Sequence, residues 1–408
     1  MSENRHKLPD VVQATADFEK WASRHVDMIP SDVKLKHKLM AKSAFPFLRA
    51  TFYRWAQWWP MVCPELAQAP QVLAVGDLHV ENFGTWRDLE GRLIWGVNDF
   101  DEAWPAAYTV DLVRLATSCY LAIDEEHLAI TRKEAYQAIE AGYRDCLAKG
   151  GGAFVLAEHH RWLRLLAVNK LRDPVVFWEK ILACPKYKGK LPKDVWKLVH
   201  ASLPLRTYNY ELKSRIAGLG SLGHPRVLAL ATWDGAHVVR EAKQLTPSAW
   251  IWAKRIQRIE ILGRKLVTSA VRILDPHVHF AEHWIVRRLA PDCCHIEIAT
   301  LPSERDEEKL LYYMGWETAN IHFGTPRAIP SVRRDLARRK GRWLHKAAKA
   351  MLKSPSTTGT SGAAKLLSVP PNKPPPVLPV FRRDSRTLRR WPKTVLRFSR
   401  FGLPFLLT

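Results

Sequence analysis

The chain has 408 residues, a formal net charge of +23 and 47% hydrophobic residues. This length allows one large or two ordinary domains, and the composition predicts that most of the chain folds around a buried core. The polar start MSENRHKLPD shows no signal-peptide pattern, no apolar run is long enough to cross a bilayer, and the six cysteines show neither disulfide-framework nor zinc-site spacing. We therefore expect a reduced, cytoplasmic protein rather than a secreted or membrane-spanning one.

Much of the positive charge lies late in the chain, at 333–349 and 382–400. Basic residues attract nucleic acid, anionic lipid or phosphorylated ligands, although a basic run can also be a solvated face without a partner. An anionic partner of the basic C-terminal tail is therefore one expectation.

The first half of the chain is predicted to be mostly helical around a few strands. In chain order, the patterns predict a lead-in with one short helix over 1–30, a helix over 34–59 kinked at Pro46, a strand over 71–75, a hairpin of 82–87 with 92–97, a helix from Asp111 to about Ile123, and helices over 128–200 broken near Gly150 and at Pro174.

The second half is predicted to be a glycine-rich turn among strands, followed by helices. The patterns predict strands over 214–217, 226–232 and 237–243, a long helix from Thr246-Pro247, a strand over 284–289, a helix over 307–322, a disordered linker over 353–380 and a basic tail after Phe381. The predicted division is a lead-in at 1–30, a helical lobe with a catalytic loop at 31–205, a glycine-rich-loop lobe at 206–345, and a linker with tail at 346–408.

The first chemical constellation is Gly76-Asp77-Leu78-His79-Val80-Glu81-Asn82, followed by Asn98-Asp99-Phe100-Asp101. Kinase-type phosphoryl transfer needs a carboxylate near the acceptor hydroxyl, an asparagine five positions later and a second carboxylate across a small hairpin. Asp77, Asn82 and Asp99 have this order, and their oxygen ligands suit magnesium. The alternative is an Asp-rich turn whose side chains bond their own backbone.

Three further acidic residues have two interpretations each. Asp101 and Glu102 would either supplement the metal site or cap a turn. Asp111 would either brace the catalytic loop by hydrogen bonding or cap the helix that it begins.

The second constellation is a glycine-rich turn made of Gly218, Gly220, Ser221 and Gly223. A dinucleotide-binding loop needs a helix directly after the glycines, but here a hairpin follows, as in the glycine-rich loop that covers ATP phosphates in kinases. Lys243 ends the second strand of that hairpin and would pair with the phosphates; the alternative is a plain β-turn with a solvent-exposed lysine. Glu260 would orient Lys243, or would pair with Arg264 four residues on.

The two constellations occur in the reverse of the order found in ordinary kinases, and a circular permutation reconciles this order with one fold. We therefore predict an α+β, protein-kinase-like fold with permuted order, using ATP and Mg to phosphorylate an unknown hydroxyl on a small molecule, sugar, lipid or protein. Such a site requires Asp99 and Lys243 to converge on one cleft. The alternatives are a nucleotide-binding pseudoenzyme and a basic protein that binds nucleic acid or an anionic surface without catalysis.

The segment GDLHVENFGTWRDLEGRLIWGVNDFDEAWPAAYTVDLVRLATS is similar to a bacterial family numbered 2252 among the domains of unknown function. The preceding Phe45-Pro46-Phe47-Leu48-Arg49 and the later GLGSLGHPRVLAL and EAK also resemble that family, over roughly 30–330. The first segment resembles, in addition, the catalytic loop of aminoglycoside and choline phosphotransferases. This resemblance implies Asp77 as base, with Asn82 and Asp99 as metal ligands. Val75 departs from that pattern, because those enzymes usually carry histidine before the glycine.

Overall fold

The computed structural model describes residues 8–156, 160–167, 173–204, 209–293 and 306–368. All of these residues fall within one compact unit of the chain, which contains helices and strands in mixed order. The fold is of the α+β class that was predicted, with antiparallel sheets. Within the described residues, no helix is long and apolar enough to cross a membrane.

The helices enclose most of the core. They are α1 (Val11–Ala22), α2 (Pro30–Met40), α3 (Ala44–Ala50), α4 (Phe52–Val62), α5 (Pro64–Ala67), α6 (Thr109–Asp124), α7 (Arg132–Lys149), α8 (Arg161–Ala167), α9 (Pro174–Leu182), α10 (Lys193–Ser202), α11 (Ala249–Ala253), α12 (Gly263–Ser269), α13 (Glu307–His322), α14 (Ile329–Arg338), α15 (Trp343–Leu352) and α16 (Thr360–Lys365).

The strands form three antiparallel sheets within the described residues. They are β1 (Gln71–Ala74), β2 (Phe83–Arg87), β3 (Leu93–Val97), β4 (Trp104–Ala107), β5 (Phe154–Val155), β6 (Tyr210–Ser214), β7 (Arg226–Trp233), β8 (Ala236–Gln244), β9 (His279–Ala281) and β10 (Trp284–Leu289). β1 pairs with β4, β3 lies between β2 and β5, and the largest sheet has the order β6-β7-β8-β10-β9.

The largest sheet contains the hairpin predicted from Asp234-Gly235. Trp233 pairs with Ala236, and the two turn residues both have positive φ, 45° for Asp234 and 82° for Gly235. A two-residue turn of this kind matches the twist of the flanking strands, which explains why the Asp-Gly signal was reliable. The predicted strand 284–289 and helix 307–322 are also confirmed.

Three predicted elements were wrong. The single kinked helix over 34–59 is instead α2, α3 and α4, because Pro46 lies in the first turn of α3, where no amide donor is needed, and non-helical Thr51 separates α3 from α4. The long helix from Thr246-Pro247 is the short pair α11 and α12, with Arg255 between them at a φ of 53°. The strand predicted at 214–217 lies earlier, as β6.

The predicted disorder from 353 onward was wrong over 353–368. The hydroxyls of Ser354 and Thr357 donate to the carbonyl of Met351, at 2.7 and 2.8 Å, so these polar residues complete the end of α15. α16 then packs on the N-terminal helices, with Ala363 fully buried. The remainder of the predicted linker and the basic tail lie outside the described residues.

Helices α7 and α13 touch backbone to backbone and fix the base of the site. A Cβ on Gly142 would come within 1.8 Å of the Tyr312 carbonyl oxygen, and one on Gly315 within 2.0 Å of the Ile139 carbonyl oxygen. Only glycine permits this approach. The contact places His322, at the end of α13, against helix α6, which is buried from Thr109 to Ala122.

Candidate active site

A cavity of about 470 Å³ lies between the segment that follows β1 and the turn that joins β6 to β7. Residues predicted from both constellations line it: Asp77, Asn82, Asp99, Gly218, Gly220 and Ser221. Side chains that no motif indicated line it as well, namely Lys36, Arg215, Arg226, His224 and Arg287. Segments more than a hundred positions apart in sequence therefore face one space.

Asp77 is held by a buried arginine. Arg114 Nε donates to Asp77 Oδ1 at 2.7 Å, and Arg114 Nη2 contacts the same oxygen. The Arg114 guanidinium group is fully buried, with its Cζ 4.9 Å from the ring centroids of both Phe52 and Trp55. Burial raises the pKa of Asp77 to about 6, although the neighbouring Arg114 opposes this increase. The arrangement fixes a carboxyl group whose proton can exchange near neutral pH.

Asp111 holds the loop that carries Asp77 by accepting hydrogen bonds from its backbone. The backbone amides of Val75 and Gly76 donate to the two Asp111 carboxylate oxygens at 2.8 and 2.9 Å, and His322 Nε2 lies 3.0 Å from Oδ2. Tyr143 Oη lies 2.8 Å from His322 Nδ1 and holds the imidazole ring. Of the two interpretations of Asp111, bracing of the loop is confirmed, since Asp111 lies inside α6 and not at its cap.

Asn82 closes the same loop. Its side-chain Nδ2 donates to the Asp77 carbonyl oxygen at 2.9 Å, and its backbone amide donates to the His79 carbonyl oxygen at 2.8 Å. Because the amide nitrogen of the side chain is used within the loop, its oxygen is the atom suited to a cation in the cavity.

Lys243 contacts the carboxylates of Asp99 and Asp101. Its Nζ lies 3.5 Å from Asp99 Oδ1 and donates to Asp101 Oδ2, so the expected proximity of Asp99 and Lys243 is confirmed. Burial and the negative charge of Asp99 raise the pKa of Asp101, whereas Lys243 opposes this effect. Lys243 is itself buried, which rules out a solvent-exposed lysine.

Glu102 caps helix α11 and also lines the cavity. Its Oε2 accepts hydrogen bonds from Ser248 Oγ at 2.8 Å and from the Ala249 amide at 2.6 Å. Burial raises its pKa to about 8. Of the two interpretations of Glu102, capping is the one that its contacts support.

The glycine-rich turn is hydrogen-bonded to helix α2 and to the residue that precedes this helix. Lys36 Nζ donates to the Gly220 carbonyl oxygen at 2.7 Å, and the Ile29 amide donates to the Gly223 carbonyl oxygen at 2.8 Å. Gly218 and Gly223 have positive φ values of 73° and 100°, so both positions favour glycine. A Cβ on Gly220 would lie 3.7 Å from Asp77 Oδ2, which shows how closely the turn covers that carboxylate.

The predicted contact of Glu260 with Lys243 is not formed. Glu260 lies between α11 and α12, 40% exposed, with Oε2 3.7 Å from Arg258 Nε. Gly223 supports the turn but is not among the residues that line the cavity. The predicted helix that would have carried Glu260 toward the site is absent from the described residues there, which explains its position.

The sequence predicted Lys243 but not Arg114, Lys36 or Arg287 as basic residues of the site. Arg114 stands three residues after Asp111 on a helix, directly between the apolar residues Val113 and Leu115, and an arginine in that setting signals a buried carboxylate partner. Lys36 and Arg287 carry no comparable local signal, because their partners are far away in sequence.

The oxygen donors of the cavity fit magnesium bound together with phosphates. Within the described part of the chain, no three His, Cys, Asp or Glu residues form a self-sufficient metal site. Magnesium usually takes only one or two carboxylates plus phosphate oxygens and water. Asp99 and the side-chain oxygen of Asn82, which both line the cavity, are the residues that could hold such an ion.

A sequence model for a family described as an uncharacterized protein conserved in bacteria (DUF2252) matches residues 28–170, which is less than half of the chain. The matched region includes Asp77, Asn82 and Asp99 but ends before the glycine-rich turn. No curated protein and no solved structure matches the chain.

Proposed function

We propose that this protein is an ATP- and magnesium-dependent phosphotransferase with a kinase-like, circularly permuted fold, acting on a hydroxyl acceptor. The observation that carries the proposal is that Asp77, Asn82, Asp99 and the glycine-rich turn line one cavity, and that Lys243 lies behind this lining in contact with Asp99. These are the parts that kinase-type phosphoryl transfer needs.

The order of strands around the glycine-rich turn supports the kinase-like assignment. The turn joins the first two strands of a meander, β6 and β7, and Lys243 lies near the end of the third, β8. Protein kinases likewise place their glycine-rich loop over the phosphates and their lysine on the third strand. In this chain the Asp77 loop precedes the meander, which is the permuted order.

Each side chain has a distinct task in the proposed reaction. Asp77 accepts the proton of the acceptor hydroxyl, and Arg114 fixes its orientation by holding Oδ1. Asn82 and Asp99 would hold magnesium, which when bound neutralises charge on the phosphates. Lys243 and the backbone amides of the glycine-rich turn contact the phosphate oxygens.

Binding of ATP is the first test of the proposal. A ligand that binds only the folded state raises the melting temperature, so millimolar ATP with magnesium should stabilise the wild-type protein by several degrees. Asp99→Asn should lose most of the magnesium-dependent part of this shift, while Glu260→Gln serves as the matched control. The absence of any shift with ATP, with or without magnesium, would contradict the proposed function.

A further inference from the structure

Three arginines surround one buried glutamate on the cavity wall formed by the largest sheet. Glu241 Oε1 accepts from Arg226 Nη1 at 3.0 Å and from Arg287 Nε at 2.9 Å, and Oε2 accepts from Arg215 Nη1 at 2.5 Å. Glu241 is fully buried, and the three arginines all line the cavity. We refer to Arg215, Arg226 and Arg287 as the arginine wall.

The arginine wall carries more positive charge than Glu241 can neutralise. Burial alone would lower the pKa of Arg287, but Glu241 and Asp99 raise it, whereas burial lowers the pKa of Arg226. A guanidinium group stays protonated in proteins at neutral pH, so both groups carry a charge. Arg226 is 5% exposed and its Nε has no hydrogen-bond partner among the described residues. Buried guanidinium groups with unused donors are suited to bidentate binding of a phosphate anion.

The arginine wall and the glycine-rich turn form a continuous surface. Arg226 Nη2 donates to Ser221 Oγ at 2.7 Å. A Cβ on Gly218 would come within 2.5 Å of the same nitrogen, so glycine is needed for the turn to lie against the guanidinium group. A phosphate chain that runs along the turn would therefore run along the arginines.

We propose that the arginine wall is an anion subsite that binds the phosphate chain of the nucleotide, with Glu241 as the residue that positions all three guanidinium groups. The inference rests on the proposed function and adds to it, because Lys243 is engaged by Asp99 and Asp101 and cannot alone balance a triphosphate. The ligand class is a linear polyphosphate, free or carried by a nucleoside.

The test compares ATP, inorganic tripolyphosphate and adenosine by calorimetric titration of the full chain. Arg287→Met and Arg215→Met should each weaken binding of ATP and tripolyphosphate by about tenfold or more, and should leave adenosine binding unchanged. Arg288→Met is the matched control. Arg288 follows Arg287 on β10, so its side chain faces the other side of the sheet, where it donates to the Arg87 carbonyl oxygen. Arg215, 27% exposed, is the substitution least able to disturb folding.

The outcomes separate this inference from the proposed function. Retention of wild-type ATP affinity in both arginine variants, alongside its loss in Asp99→Asn, overturns the arginine wall and leaves the phosphotransferase proposal intact. Tripolyphosphate binding that depends on both arginines, without ATP binding, supports the subsite and contradicts the phosphotransferase. Failure of the wild-type protein to bind tripolyphosphate overturns the inference.

Discussion

Asp77 uses one oxygen to hold its position and offers the other to the cavity. Arg114 contacts Oδ1, whereas Oδ2 lies on the side of Gly220. In the role of base that we propose, Asp77 must be deprotonated to accept a proton, and burial has raised its pKa to about 6. The proposed reaction should therefore respond to pH in the mildly acidic range.

The rate of phosphoryl transfer should rise as pH increases from 5 to 7, with half of the rise near pH 6. Asp77→Asn should lower kcat/KM by about a hundredfold or more and remove this acid limb, because the amide cannot take the proton. The measurement is kcat/KM against pH for both proteins. An acid limb that persists in Asp77→Asn would assign the titration to another group and remove Asp77 from the role of base.

Glu102 makes the stability of the fold depend on pH. Its pKa is about 8 in the folded protein and ordinary in the unfolded chain, so the folded state binds the extra proton between these values. The contribution of Glu102 to stability is present at low pH and is lost as pH rises through the folded pKa. The free energy of unfolding should fall by about 1.4 kcal/mol per pH unit from this group within that window.

Glu102→Gln should flatten the pH dependence of stability, because the amide oxygen can still accept from Ser248 and Ala249 while carrying no charge. Urea unfolding at pH 5, 6.5 and 8 measures the effect. Glu260→Gln, on a half-exposed side chain, controls for the loss of one negative charge. An identical slope in Glu102→Gln and the wild type would show that Glu102 does not titrate in this range.

At the residue scale, the sequence predicted the groups whose partners are nearby and missed those whose partners are distant. Asp77 and Asn82 stand five positions apart, and their spacing alone predicted one loop. Arg114 joins Asp77 across 37 positions and Lys36 joins Gly220 across 184. Contacts of that length depend on how helices pack, which no local spacing encodes.

At the scale of elements, turns with special backbone geometry were predictable and the helix junctions were not. Asp234-Gly235 fixes a hairpin through two positive φ values. Thr51 and Arg255 interrupt predicted helices with no proline or glycine at the break. Neither break has a local sequence signal, as is expected where tertiary packing overrides the local helical pattern.

Helix α16 should contribute to stability although its sequence resembles a linker. Truncation after Leu352 removes the segment that covers Phe47 and Val11, and should destabilise the protein by about 2 kcal/mol or more. A chain that ends after Ser368 keeps α16 and is the control. Equal melting temperatures for the two truncations would show that α16 adds nothing to the core.

A single substitution tests the same packing in the full chain. Gly359→Ala should lower the melting temperature, because the added Cβ would collide with the ring of Phe47. Gly341→Ala is the matched control, since nothing lies within 4 Å of a Cβ at that position. Equal effects of the two substitutions would argue against a tight contact between α16 and Phe47.

At the scale of the whole molecule, the site depends on joining two parts of the chain that are far apart in sequence. The Asp77 loop and β3 are built on α6 and α13, whereas Lys243 belongs to the five-stranded sheet. The contacts of Lys243 with Asp99 and Asp101 connect the two parts at the cavity. The permuted connectivity that we propose is compatible with one shared site, because packing and not chain order sets which groups meet.

The last prediction concerns this connection. Asp99→Asn and Lys243→Ala should each lower ATP-dependent phosphoryl transfer by about a hundredfold or more, since each removes a charge that acts on the same phosphates. The double variant should lose much less than the product of the two single losses, because the two residues serve one transition state. Single-turnover rates for the wild type, both single variants and the double variant measure the coupling, with Lys254→Ala, on an exposed residue, as the control. Circular dichroism and melting temperature establish that each variant folds. Strictly multiplicative losses would mean that Asp99 and Lys243 act independently, and their proximity at 3.5 Å would then not reflect a shared role in one transition state.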